Sequence, residues 1–215
     1  MARRSTEPAA VATLLAIGLV ALLPTRASAQ QRRCVSPDPI VDATQRRALE
    51  QFPRGTVGLA AIDVVNTAGP AGTNFDDPAV GYVVADYMVR EMAPLALDRT
   101  GERAMAARLR ALAPIRSRET AWRAEDAAED VANTLARRHG RVRWSQPWGA
   151  AIEVTVEAAA LAGYAANPGT IDARLYVLTI ASGLGATQRV GMSPQAVEAF
   201  AGRMLHAMIA AAHCE

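Results

Sequence analysis

The chain has 215 residues, 51% of them hydrophobic and 20% charged, with 23 basic residues against 21 acidic ones. A balance this close to neutral excludes the strongly basic surface of a nucleic-acid or anionic-membrane binder. Every one of the 23 basic residues is arginine, which reads as the codon usage of a GC-rich genome.

The N-terminal residues read as an address. Arg3 and Arg4 precede an apolar run, Ala9–Leu23, which Pro24 ends, and Ala27-Ser28-Ala29 fits a small-residue cleavage site. The run is too short for a membrane span. Residues 1–29 are therefore expected to be a signal peptide cut near Ala29, giving a periplasmic or secreted protein. Losing Arg3, Arg4, Arg26 and Glu7 takes the formal charge from +2 to zero, and losing 29 of 215 residues leaves 186. That length suits one domain burying about 70% of its unfolded surface. No later stretch reaches the ~20 apolar residues of a spanning helix, so no membrane span is expected in the mature chain.

Cys34 and Cys214 are the two cysteines. Gln31-Arg32-Arg33 precedes Cys34 where a lipidation box would need small and apolar residues. Two thiols in an exported chain are expected to pair. Closing a loop of ~180 residues would contribute on the order of 4–5 kcal/mol in the chain-entropy model.

In chain order, residues 30–41 read as an extended arm, followed by a single domain over 42–215. Asp42 or Thr44 is placed to cap a short helix through Gln51. Thr56–Ile62 lacks alternation and reads as a buried central strand. The loop 63–77 contains Gly69-Pro70 and Gly72, and its Asp76 and Asp77 fall just before Pro78. Two readings are open for these acids: capping of the next helix, or a ligand or hydrolase site. A helix from Pro78 carries Val80, Val83, Val84, Tyr87, Met88 and Met92 on one stripe, with Asp86 and Arg90 four apart. Glu102–Leu112 reads as a helix with Met105, Leu109 and Leu112 inward, and Ile115–Arg118 as a short strand. From Thr120 runs a helix with acids early, Arg137, Arg138 and His139 late, Gly140 as its C-terminal cap, and Ala124, Ala127, Val131 and Leu135 inward.

Beyond Arg141 the period changes to two. Arg141–Trp144, Ile152–Glu157 and Ile171–Ile180 alternate and read as strands, with turns at Asn167-Pro168-Gly169 and Ser182-Gly183 and a last strand at Ala186–Val190. Ser193-Pro194 opens a final helix whose stripe is Val197, Phe200, Ala201, Met204, Leu205 and Met208. The expected fold class is α/β (α+β): a mixed sheet with an antiparallel C-terminal meander, packed by three to four helices.

The catalytic motifs are absent. The sequence has no GxSxG, HExxH, CxxC or P-loop. His139, His206 and His213 lack ligand-pair spacing, and no cofactor or metal is expected. Glu153 and Glu157 fall on the wet face of a proposed strand. Trp144 and Trp148 bracket Pro147, where aromatics can form a sugar or peptide platform or can plug the sheet.

Ala61-Ile62-Asp63-Val64-Val65-Asn66, then Asn74-Phe75-Asp76-Asp77, Gly81 and Ala85-Asp86, and late Ile171–Val177 with Thr179–Gly183 form an ordered set. This set resembles the broad family of bacterial cell-envelope proteins that includes the curli secretion protein CsgG, the flagellar outer-membrane protein FlgO and the TolB N-terminal domain. Ser182 stands where that family has threonine, and Val64-Val65 where it has phenylalanine. The resemblance implies an envelope or appendage accessory protein that acts by protein–protein interaction, as a homo-oligomer or with other envelope proteins, and without catalytic residues. The alternatives are a small periplasmic hydrolase with its site in the loop 63–77, or a peptidoglycan- or carbohydrate-binding module using Trp144 and Trp148.

Overall fold

The computed structural model describes residues 36–51, 58, 60–62, 64, 77–169 and 173–212, with the backbone alone at 173 and 174. Eight helices are labelled here: α1 Asp38–Gln51, α2 Pro78–Tyr87, α3 Ala93–Arg99, α4 Arg103–Arg110, α5 Arg118–His139, α6 Pro147–Ala166, α7 Ala173–Arg189 and α8 Pro194–Ala212. A π turn, Met88–Met92, joins α2 to α3. The fold is all-helical: 82% helix, with no strand among the described residues. All of the described residues belong to one compact unit, Arg32–Glu215.

This overturns the α/β expectation at each proposed strand. In 56–62, the described residues Gly58, Ala60, Ala61 and Ile62 are helical. A short apolar run is compatible with a buried strand or a buried helix, and periodicity cannot separate them. Residues 115–117 are irregular and Arg118 begins α5, which Ser117 caps: its Oγ accepts the Thr120 N–H and its own N–H is donated to Thr120 Oγ1. Arg141–Trp144 is a loop, and Ile152–Glu157 lies inside α6. That alternation is six residues long within a 20-residue helix rich in alanine, the strongest helix former. The β-branched Thr155 is accommodated because its buried hydroxyl is donated to the Ala151 carbonyl at 2.8 Å. From Ala173 the supposed strand, the 182–183 hairpin and the strand at 186–190 form one helix, α7, as far as Arg189. Its buried positions Tyr176, Val177, Ile180, Leu184 and Thr187 recur at three and four, a helical stripe masked by the apparent alternation. Residues 38–41, read as part of the arm, belong to α1. Thr44 is a buried helix-interior residue whose hydroxyl bonds the Ile40 carbonyl, and it caps nothing.

The helices expected from Pro78, over Glu102–Leu112, from Thr120 and after Ser193-Pro194 are present. Asp77 caps α2, its Oδ1 accepting the Ala79 N–H at 2.8 Å, with Pro78 at the first helical position. Asp86 pairs with Arg90 and also accepts the Ile115 N–H at 2.9 Å, which fixes the chain ahead of α5. The π turn follows from Pro94. A proline has no N–H and its ring clashes with the carbonyl four residues back. Here the Ala93 N–H reaches back five residues to the Met88 carbonyl, widening the helix just before the ring. The stripes of α5 and α8 are buried as read.

The core gathers on α6, which touches α2, the π turn, α3, α5 and α7. Leu161 and Val154 are wholly buried there. At Gly183, α7 comes so close that an added Cβ would stand 2.6 Å from Met88 Cε and 3.4 Å from Glu157 Cβ. The glycine serves a helix crossing and makes no hairpin.

Candidate functional site

The most chemically distinctive surface is the corner where α5 hands over to α6. α5 ends at His139 because Gly140 takes a positive φ of 70°, which favours glycine. Arg141 to Ser145 cross the gap, and the Gln146 N–H closes the turn on the Arg143 carbonyl at 2.9 Å. Pro147 then starts α6. Gly149 is required for this closure: a Cβ on it would stand 2.2 Å from the Arg143 carbonyl oxygen.

An open cleft of about 320 Å³ results, lined by His139, Arg141, Arg143, Gln146 and Trp148. The His139 and Trp148 rings are stacked, with centroids 4.8 Å apart and planes 7° from parallel. Glu102, just before α4, is mostly buried. It receives an ion pair from Arg138, and its Oε1 lies 3.4 Å from His139 Nε2. One carboxylate thus offsets Arg138 and fixes the edge of the imidazole. Arg141 and Arg143 are exposed and have no carboxylate partner among the described residues. The start of α6 adds the positive end of its helix dipole. The cleft therefore combines two guanidiniums, which take carboxylates or phosphates in bidentate fashion, with a flat aromatic wall suited to the apolar face of a sugar or peptide.

Of the residues named from sequence, Trp148 lines this cleft. Trp144 is 53% exposed beside it and is not part of the lining. Trp144 sits on the loop and Trp148 in the first turn of α6, so there is no sheet here for them to plug. Asp77 is occupied as a cap. Asp76, most of the loop 63–77, and Cys34 and Cys214 lie outside the described residues. Sequence reading missed His139, Arg141, Arg143 and Gln146. A signal was present: Val131–Ile152 carries Arg137, Arg138, Arg141 and Arg143 and no Asp or Glu.

A second polar cluster lies between α6 and α7. Glu153 pairs with Arg189 and accepts the Ser182 hydroxyl at 3.3 Å. Glu157, one turn on, has its pKa raised, first by burial and then by the Glu153 charge, while Ser182 within hydrogen-bond reach lowers it. Ser182 is thus a serine beside carboxylates, yet no histidine is among these partners and the groups spend their bonds on one another. No cluster of His, Cys, Asp and Glu among the described residues could hold a metal ion.

No family model, no curated protein and no solved structure matches the chain. The segment 173–183 that carries the late part of the envelope-family resemblance is helical, part of α7. Among the described residues, no helix is long and apolar enough to cross a membrane.

Proposed function

We propose that this chain is an exported accessory protein of the bacterial envelope that works by binding, with the α5–α6 cleft as its recognition site for peptidoglycan. The observation that carries this reading is the pairing of Arg141 and Arg143 with the stacked Trp148–His139 wall in one open cleft. Peptidoglycan offers both complements, stem-peptide carboxylates for the guanidiniums and sugar faces for the indole. Glu102 acts as a positioning residue that holds His139 against Trp148.

The test is co-sedimentation of the processed protein with purified murein sacculi. Wild type is expected to sediment with sacculi and to release as salt rises. Arg141→Glu with Arg143→Glu is expected to weaken retention at least about tenfold, roughly 1.4 kcal/mol or more. Both arginines are exposed, so the fold should survive. Retention unchanged by this double variant, or wild type that never sediments, would sink the proposal.

A protein partner is the second reading, favoured by Leu175 and Leu178, 54% and 62% exposed and three residues apart on α7. Leu175→Glu with Leu178→Glu would abolish a stoichiometric complex captured from envelope extract and leave sacculus retention intact.

A further inference from the structure

We propose that the outer face of α5 and α6 is a dimer interface, on which a second copy of this chain docks end for end about a two-fold axis. A groove of about 310 Å³ opens between the two helices, with Glu129 and Asn133 on its α5 wall and Val156 on its α6 wall. The rest of its lining is alanine: Ala132 and Ala159 are buried and Ala160 is half-buried. Val156 is 46% exposed, an apolar side chain left in water on an alanine-rich helix. So shallow a groove accepts the side-chain ridge of another helix.

Charge selects the occupant. Three ion pairs already use other charges of α5: Glu119 pairs with Arg123, Asp130 with Arg108, and Arg138 with Glu102. Glu125, Asp126 and Glu129 have no basic partner among the described residues, and Arg137 reaches only the Thr134 hydroxyl. Glu125 is held against Gly163 of α6, where a Cβ would collide with its carboxylate. Its pKa is raised, first by burial, then by Glu129 and Asp126. The first half of α5 thus carries negative charge that nothing offsets, and the second half carries the unpaired Arg137. That pattern is complementary to itself when a second copy is turned end for end.

An axis at the level of Val131 fixes the register. Glu129 then lies opposite Asn133 of the second copy and Glu125 opposite its Arg137. Trp122, 47% exposed, lies opposite Gly140, which has no side chain to obstruct the indole. Each contact occurs twice by symmetry. The groove lies at this same level, between residues 129 and 133, so the axis passes over it and the two Val156 side chains meet there. The face is about 33 Å long and two helices wide, roughly 650 Å² per copy, close to the ~800 Å² a side of a standard interface.

Sedimentation equilibrium of the processed protein tests this without murein, so its outcome is separate from that of the recognition cleft. Wild type is expected at twice the protomer mass and to dissociate as salt rises. Arg137→Glu, at an exposed position, sets like charges opposite each other and is expected to weaken the dimer at least about tenfold. Adding Glu125→Arg restores opposite charges and is expected to recover most of that loss. Val156→Glu brings two carboxylates together at the axis and is expected to leave a monomer, with circular dichroism checking that the helices remain. A monomeric wild type, or a dimer as tight as wild type in Arg137→Glu or in Val156→Glu, overturns the proposal. A double variant no tighter than Arg137→Glu alone overturns the register.

Discussion

Two polar clusters sit along α6, and they use similar groups differently. At residues 153, 157, 182 and 189, two carboxylates, a hydroxyl and a guanidinium satisfy one another across the α6–α7 contact. At residues 139–148, one carboxylate, Glu102, serves Arg138 and His139, and two further guanidiniums face water. Buried polar groups must find partners because desolvation penalises those that do not; exposed arginines carry no such penalty and remain available to a ligand. A polar cluster is therefore informative about binding when its bonds are unspent, and sequence composition alone does not say which bonds are spent.

The comparison can be broken most severely at the two glycines that set these contacts. Gly149→Ala drives a Cβ into a backbone carbonyl, which cannot swing aside. It is expected to cost about 3 kcal/mol and to lower Tm by roughly 6–12 °C, with loss of sacculus retention as the Arg143 turn opens; calorimetry and sedimentation read both. Gly183→Ala meets the mobile end of Met88, and about 1 kcal/mol is expected in urea unfolding, with retention unchanged. Removing a group whose bond lies within its own helix start is smaller in reach. Asp77→Ala is expected to cost about 1 kcal/mol as a lost N-cap, again without effect on retention.

Glu157→Gln sharpens the contrast through pH. The folded-state pKa of Glu157 is raised, so its ionisation disfavours the native state once pH exceeds the ordinary carboxyl range. The variant is therefore expected to be more stable than wild type at neutral pH. The difference should shrink as pH falls through the raised pKa and vanish below the unfolded one. Denaturant melts at pH 7 and pH 4 check this, and a gap that widens on acidification would refute the burial account.

Several of the helices were legible. The cap at Asp77, the dipole-matched charges of α5, the positive-φ stop at Gly140 and the stripe of α8 are local signals, each acting within a few residues. The failures share a cause. Thr56–Ile62, Ile152–Glu157 and Ile171–Ile180 are apolar or alternating runs whose burial depends on distant neighbours. Helix and strand can each satisfy the backbone of such a run. The choice falls to packing, as where Gly183 lets α7 settle against Met88 and Glu157. The cleft was half legible: Trp148 was singled out, but its partners were not, because the stack with His139 requires the turn at Gly140 and the closure at Gly149.

The sequence by itself determined where several helices begin and end, since capping, proline placement and charge–dipole matching act over one or two turns. Only the tertiary structure decided that the central and late segments are helices and that Arg141, Arg143, His139 and Trp148 share one cleft. Those outcomes depend on which surfaces meet, and meeting is a property of the packed chain rather than of any window of it.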